Sequence, residues 1–264
     1  MKKYFVIGNP INHSLSPKLH NYWLNENKID AYYEKIKIEP KEIKKFIDDI
    51  KKQKISGCNV TVPYKNTVIQ YLDKLSTEAK QTQSVNTIVY DNGNLIGHNT
   101  DIAGFGKAIK NLNFEMKNKK ILILGAGGVV PSIIFALTNM DVLDITISNR
   151  TIKKAKELKY LYNNLSVIEW GHLPDFDVII NATSLGLNNE KMSLDFSKIG
   201  KNKLFYDVIY NPTETNFLIT GKELGNQTEN GKLMFVYQAF ESFKMWHNIE
   251  PKINNEILKF LEND

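Results

Sequence analysis

The chain has 264 residues, a formal net charge of +5, 42% hydrophobic and 24% charged residues, the balance of an ordinary soluble globular protein. That length allows one large domain or two modest ones, and the single cysteine, Cys58, rules out an internal disulfide and reads as a small core residue. The lysines are spread along the chain with no basic-aromatic motif, and no apolar run suits a bilayer span or a signal-peptide core, so a cytoplasmic enzyme binding neither nucleic acid nor membrane is expected.

Tyr4 to Ile7 reads as a first strand. Ser16 before Pro17 marks a helix start, with Ser16 as N-cap and Leu19, Tyr22, Trp23 and Leu24 as a buried face. Ser14 is surplus to that capping role, and two hydroxyls on one strand-end loop suit a polyhydroxy or carboxylate ligand. Tyr32 to Ile38 is a second strand, and Pro40 to Lys52 carries apolar residues at helical spacing. Asn59 to Val62 alternates polar and apolar residues, predicting a strand with one polar face that Pro63 stops, with Lys65 just beyond. Val68, Ile69, Leu72 and Leu75 predict a helix. Ser84 to Tyr90 is a strand with Asn86 at its mouth, Asp91 to Asn94 a hairpin turn, and His98 to Asp101 the end of the return strand. Strand ends in the first hundred residues thus collect Ser14, Ser16, Asn59, Thr61, Lys65, Asn86 and Asp101, and in open α/β sheets ligands bind beyond such ends.

Lys120 to Thr151 forms the central unit: an apolar run (Ile121 to Leu124), a glycine turn (Gly125-Ala126-Gly127-Gly128), an apolar helix, and a second β-rich run from Val142 to Ile147. This is a βαβ pattern whose first turn can take a pyrophosphate, with Val130 standing where Gly or Ala is usual. NAD-binding units usually place Asp or Glu after the second strand. This chain has Ser148-Asn149-Arg150-Thr151 and then Lys153 and Lys154, which can hold a 2′-phosphate and point to NADP. Val178 to Asn181 is a buried strand whose exit, Ala182 to Gly186, can wall a bound dinucleotide. Leu204 to Tyr210 is another strand, and helices follow at Phe217 to Leu224, after Gly231, and from Asn254 to Leu261.

Hydride transfer to a carbonyl needs a proton donor. No Ser/Tyr/Lys spacing supplies one, and the five histidines show no metal-ligand pairing, so no metal is expected. Lys65 and Asp101 remain, a cation and an anion at two strand ends, the carboxylate holding the ammonium in place.

These residues resemble the shikimate dehydrogenase family. The resemblance rests on SLSP (Ser14 to Pro17), NVTVPYK (Asn59 to Lys65), VNT (Val85 to Thr87), NTD (Asn99 to Asp101), GAGG (Gly125 to Gly128), NRT (Asn149 to Thr151), NATSLG (Asn181 to Gly186), DVIYNPTET (Asp207 to Thr215) and GKLMFVYQA (Gly231 to Ala239), in this order. The family pattern differs at Gln83-Ser84, where Gly-Ala is usual, and at Thr77, Ile102 and Lys154. The resemblance implies NADPH-dependent reduction of 3-dehydroshikimate to shikimate in aromatic amino-acid biosynthesis, with Lys65 as acid/base paired with Asp101. It implies shikimate contacts at Ser14, Ser16, Thr61, Asn86, Asp101, Tyr210 and Gln238, with Asn59 close by. It implies NADP contacts at Gly125, Ala126, Gly127, Gly128, Val129, Asn149, Arg150, Thr151, Ile152, Lys153, Lys154, Thr183, Val208 and Gly231. The implied architecture is two α/β domains flanking a cleft: an N-terminal substrate domain (1–101 plus 234–264) and a Rossmann-type NADP-binding domain (102–233), in a monomer or homodimer. An NAD-using quinate/shikimate dehydrogenase and a non-catalytic nucleotide-sensing module on the same fold are the alternatives. Arg150 speaks against the first and the intact Lys65 and Asp101 against the second.

Overall fold

A computed structural model of the chain describes residues 1–162 and 164–262. Residues 263 and 264, the end of the segment expected in the substrate domain, lie outside the described residues. The chain forms two units, one of Met1–Gly104 with the chain from Val236 onward, the other of Phe105–Phe235. No helix among the described residues is long and apolar enough to cross a membrane.

The first unit is built on a six-stranded mixed sheet. Its strands are β1 (Lys2–Gly8), β2 (Ala31–Lys37), β3 (Gly57–Val60), β4 (Lys74–Leu75), β5 (Thr87–Asp91) and β6 (Asn94–His98), in the order β2-β1-β3-β5-β6-β4. β1 pairs parallel with β2 and β3, whereas β5 runs antiparallel to β3 and β6. Helices α1 (Ser16–Glu26), α2 (Ile43–Lys51), α3 (Thr77–Thr82) and α4 (Asp101–Lys110) follow the strands. The apolar stripe of α2 (Ile43, Phe46, Ile47, Ile50) packs with Phe5, Ile7, Val60, Val85 and Ile88 into one core cluster. Cys58 lies fully buried in that cluster, and burial pushes its thiol well above the usual range.

Three sequence expectations change here. The predicted helix across Val68 to Leu75 is a 3₁₀ turn at Thr67–Tyr71, followed by β4 and then α3. The cause is tertiary pairing: Lys74 and Leu75 pair with Ile96 and Gly97, and the Asp73 carboxylate accepts the Leu95 N–H at 2.6 Å. Edge pairing outweighs a short run of helical spacing. β3 ends at Val60, is buried on both faces, and leaves Val62 exposed, so the expected polar face is interior. Ser16 is already inside α1 and makes no cap bond; instead the Ser14 hydroxyl accepts the Ser16 backbone N–H at 3.3 Å. At the family's Gly-Ala position, Gln83 ends α3 in the left-handed region at φ +48°, a conformation glycine adopts at little cost.

The second unit carries an all-parallel sheet of β7 (Lys120–Leu124), β8 (Asp144–Asn149), β9 (Leu165–Glu169), β10 (Val178–Asn181), β11 (Leu204–Asp207) and β12 (Gln227–Glu229). Its order is β12-β11-β10-β7-β8-β9, so the winding reverses between β7 and β10, where doubly wound sheets take dinucleotides. β11 stops at Asp207, short of the expected Tyr210, because the Asp207 carboxylate turns the chain by accepting the Ile209 N–H at 3.0 Å. Helices α5 (Val130–Thr138), α6 (Ile152–Leu161) and α7 (Asn216–Glu223) cover the sheet. Val130, the atypical residue after the glycine turn, is fully buried in the first turn of α5. The chain then enters α8 (Lys232–His247), re-enters the first unit within that helix, and ends with α9 (Asn255–Phe260).

Candidate active site

In the first unit the carboxyl ends of β3 and β6 bring Lys65 and Asp101 together. Asp101 opens α4, where the positive end of a helix favours a carboxylate. Lys65 follows β3, and its carbonyl accepts the Val85 N–H at 2.8 Å, fixing it beside the segment that leads into β5. The Lys65 ammonium lies 2.6 Å from one Asp101 oxygen, with side-chain exposures of only 11% and 7%. The other Asp101 oxygen accepts the Asn86 side-chain amide at 3.0 Å, and the Asn86 side-chain oxygen accepts the Thr100 N–H at 2.7 Å. Gln238, from α8, places its side-chain oxygen 3.4 Å from the same Asn86 amide nitrogen.

Asn59 sits behind Asn86. Its side-chain oxygen accepts the Tyr33 hydroxyl at 2.6 Å, and its side-chain nitrogen faces the Asn86 backbone carbonyl, the Thr87 hydroxyl and the Ser242 hydroxyl, each at 3.0 Å. Buried polar groups are costly unless satisfied, so this fully engaged set fixes the strand ends rigidly. Tyr33, Thr87, Thr100 and Ser242 were not singled out from the sequence. Thr87 and Thr100 lie inside quoted motifs, whereas Tyr33 reads as an ordinary strand residue and Ser242 lies 183 residues from its partner. Thr61 donates its N–H to the Ile7 carbonyl at 2.9 Å, which sets it beside the end of β1. Ser14, Ser16, Thr61, Asn59, Asn86, Asp101, Lys65 and Gln238 therefore all belong to the first unit, at or near its strand ends. Tyr210 belongs to the second unit, its ring stacked on Phe235 with centroids 4.5 Å apart.

In the second unit, Gly125 leaves β7 at φ +109°, and a Cβ there would stand 2.8 Å from the Ala182 carbonyl oxygen. Only glycine fits both the angle and the space. The turn through Val129 leads into α5, whose positive end lies next to the glycine turn; within its first turn the Val130 N–H is bonded to the Gly127 carbonyl at 3.0 Å and the Ser132 N–H to the Val129 carbonyl at 3.1 Å. Past β8, Asn149 donates its side-chain amide to the Thr151 carbonyl at 2.8 Å and shapes the loop that carries Arg150. Arg150, Lys153 and Lys154 are exposed, and none has an ion-pair partner among the described residues. Thr183 bonds back to Asn181, and Gly231 abuts Val208 so closely that a Cβ would lie 2.1 Å from the Val208 carbonyl oxygen. A glycine cradle, a helix N-terminus and unpaired cations suit a phosphorylated dinucleotide with an additional 2′-phosphate.

Two family models match the chain, the shikimate dehydrogenase substrate binding domain over residues 6–88 and shikimate / quinate 5-dehydrogenase over residues 107–215. The chain is 53% identical over 264 residues to a shikimate dehydrogenase (NADP(+)) of Pelagibacter ubique, covering 99% of this chain and 100% of that relative. This chain belongs to the shikimate dehydrogenase family. It is accordingly an oxidoreductase. Its fold is similar to the crystal structure of the shikimate dehydrogenase of Aquifex aeolicus, with a TM-score of 0.90 at 35% identity, over 100% of this chain and 98% of that one. It is likewise similar to the Thermus thermophilus shikimate 5-dehydrogenase in complex with NADP(H) and shikimate, with a TM-score of 0.88 at 28% identity, over 99% and 97% of the two chains. Lys65 and Asn86 fall within the first family span and Gly125 to Tyr210 within the second; Asp101, Gly231 and Gln238 lie outside both.

Proposed function

We propose that this chain reduces 3-dehydroshikimate to shikimate with NADPH, reversibly, and that Lys65 is its acid/base. The observation that carries the reading is the buried Lys65–Asp101 pair at 2.6 Å, set at strand ends among hydroxyls and amides. Bound NADPH supplies the hydride. Lys65 holds a proton at Nζ and delivers it to the ketone oxygen as the alkoxide develops; in the reverse direction Nζ recovers it. Asp101 keeps the ammonium in place and, with Asn86 and Gln238, presents polar atoms to the ring hydroxyls. Ser14, Ser16, Thr61 and Tyr210 are the further substrate contacts. Asn59 serves the same site by holding Asn86 through its carbonyl.

NADP is held by the glycine turn from Gly125 to Gly128 with Val129, by Asn149 to Lys154, and by Thr183, Val208 and Gly231. Arg150 selects NADP over NAD, because a guanidinium pairs with a 2′-phosphate and no carboxylate stands at the end of β8 to bind a free ribose hydroxyl.

An absorbance assay at the nicotinamide band, crossing shikimate and quinate with NADP and NAD, tests the reading. The highest kcat/KM is expected for shikimate with NADP. A preference for quinate with NAD would replace it with a quinate dehydrogenase, and no turnover in any combination would leave a nucleotide-binding module.

A further inference from the structure

Three residues of the second unit are fully buried, polar, and outside every contact assigned above. Asn181 ends β10, Asp207 ends β11, and Thr215 caps α7. The Asp207 carboxylate accepts from the Asn181 amide at 3.0 Å, the Ile209 N–H at 3.0 Å and the Thr215 hydroxyl at 2.6 Å. Among the described residues no cation pairs with it, and burial pushes its carboxyl up to about 6.

Asn181 also reaches the other way. Its amide nitrogen donates to the Leu185 carbonyl at 3.1 Å, and its side-chain oxygen accepts the Thr183 N–H at 3.0 Å and the Thr183 hydroxyl at 2.7 Å. Thr215 closes the ring, since a Cβ on Gly186 would lie 3.2 Å from its Cβ and Cγ2. Three side chains thus tie together the loops 182–186 and 208–215, which leave neighbouring strands on the side of the switch point away from Arg150. Arg150 marks the adenosine half of a bound dinucleotide, so these loops face its other half. Both carry proposed nucleotide contacts, Thr183 and Val208. The Val208 N–H is bonded to the Asn181 carbonyl at 2.9 Å, and Gly231 lies against the Val208 carbonyl.

We propose that Asn181, Asp207 and Thr215 are positioning residues that preset these two loops for the nicotinamide half of the nucleotide, so that nucleotide affinity, and not proton transfer, depends on them. The proposal rests on the NADP-binding reading above. A preset loop binds without first losing its freedom; a loosened one gives up affinity while leaving Lys65 untouched.

The test is equilibrium binding of NADPH to the full chain, followed by the nucleotide's own fluorescence, alongside steady-state kcat and KM. Asp207→Asn and Thr215→Val should each raise the NADPH Kd by about tenfold or more, with kcat at saturating nucleotide within about threefold of the parent. The pH profile of kcat should not move, and Thr215→Ser, which keeps the hydroxyl, should restore affinity. Thr215→Val nearly conserves volume and carries the test alone if Asp207→Asn does not fold. An unchanged Kd in a folded variant, or a fall in kcat at unchanged KM, overturns the proposal. If the parent protein itself binds no NADPH, the nucleotide reading has failed and the proposal falls with it; binding by the parent with unmoved variants sinks the proposal alone.

Discussion

Asp101 holds Lys65 with one carboxylate oxygen, at 2.6 Å, while its other oxygen takes the Asn86 amide at 3.0 Å. The ion pair is nearly buried, and removing one partner of such a pair typically costs about 3–5 kcal/mol, because the other charge is left without compensation. Asp101→Asn should therefore lower folding stability, turnover and shikimate affinity together. Denaturant titration with steady-state kinetics checks this; a change confined to NADP affinity would contradict the placement of Asp101.

Arg150 stands exposed past β8 with two lysines, and no acid follows β8 in the chain before them. Arg150→Ala should raise KM for NADP about tenfold or more, the scale of one charged hydrogen bond, and change KM for NAD little. Equal effects on both nucleotides would mean that Arg150 does not touch the 2′-phosphate.

His20 is fully buried, stacked on Tyr33 with centroids 4.2 Å apart, and neither ring nitrogen has a partner among the described residues. Burial, then the charge of His247, lowers its pKa from 6.5 to about 3. The folded state keeps the ring neutral while an unfolded imidazole takes up a proton below 6.5. This part of the stability is present in full above that pH and is lost as pH falls towards 3, at most about 5 kcal/mol. His247, lowered to about 4 by burial and Lys2, adds to the same slope. Stability measured by urea titration at pH 7.5 and 5 should fall for the parent and fall less for His20→Phe. Identical losses would remove His20 from the acid response.

Gly231 has no room for a side chain, its missing Cβ lying 2.1 Å from a backbone oxygen. Gly231→Ala should cost about 1–3 kcal/mol through forced backbone movement, read as a lower thermal midpoint, and should weaken NADPH binding. An unchanged midpoint would show that the contact yields freely.

Much of the proposed site is legible in the sequence because its residues sit at strand ends, where turns and polar residues stand out against apolar runs. Lys65, Asn86 and Asp101 stood out in this way, and Arg150 did so by occupying a position where an acid is usual. What was hidden depends on partners far along the chain. β4 exists because β6 pairs with it, and Asn59 is committed to Tyr33 and Ser242, neither of which carries a local signal. Ser16 lies inside α1 and Ser14 accepts its N–H, because a capping pattern does not tell which of two nearby serines is the acceptor.

The central claim is that Lys65 moves the proton, and turnover of Lys65→Ala with shikimate and NADP at saturation tests it most directly. The account predicts a fall in kcat of about 10²-fold or more with nucleotide affinity retained; near-normal turnover would contradict it.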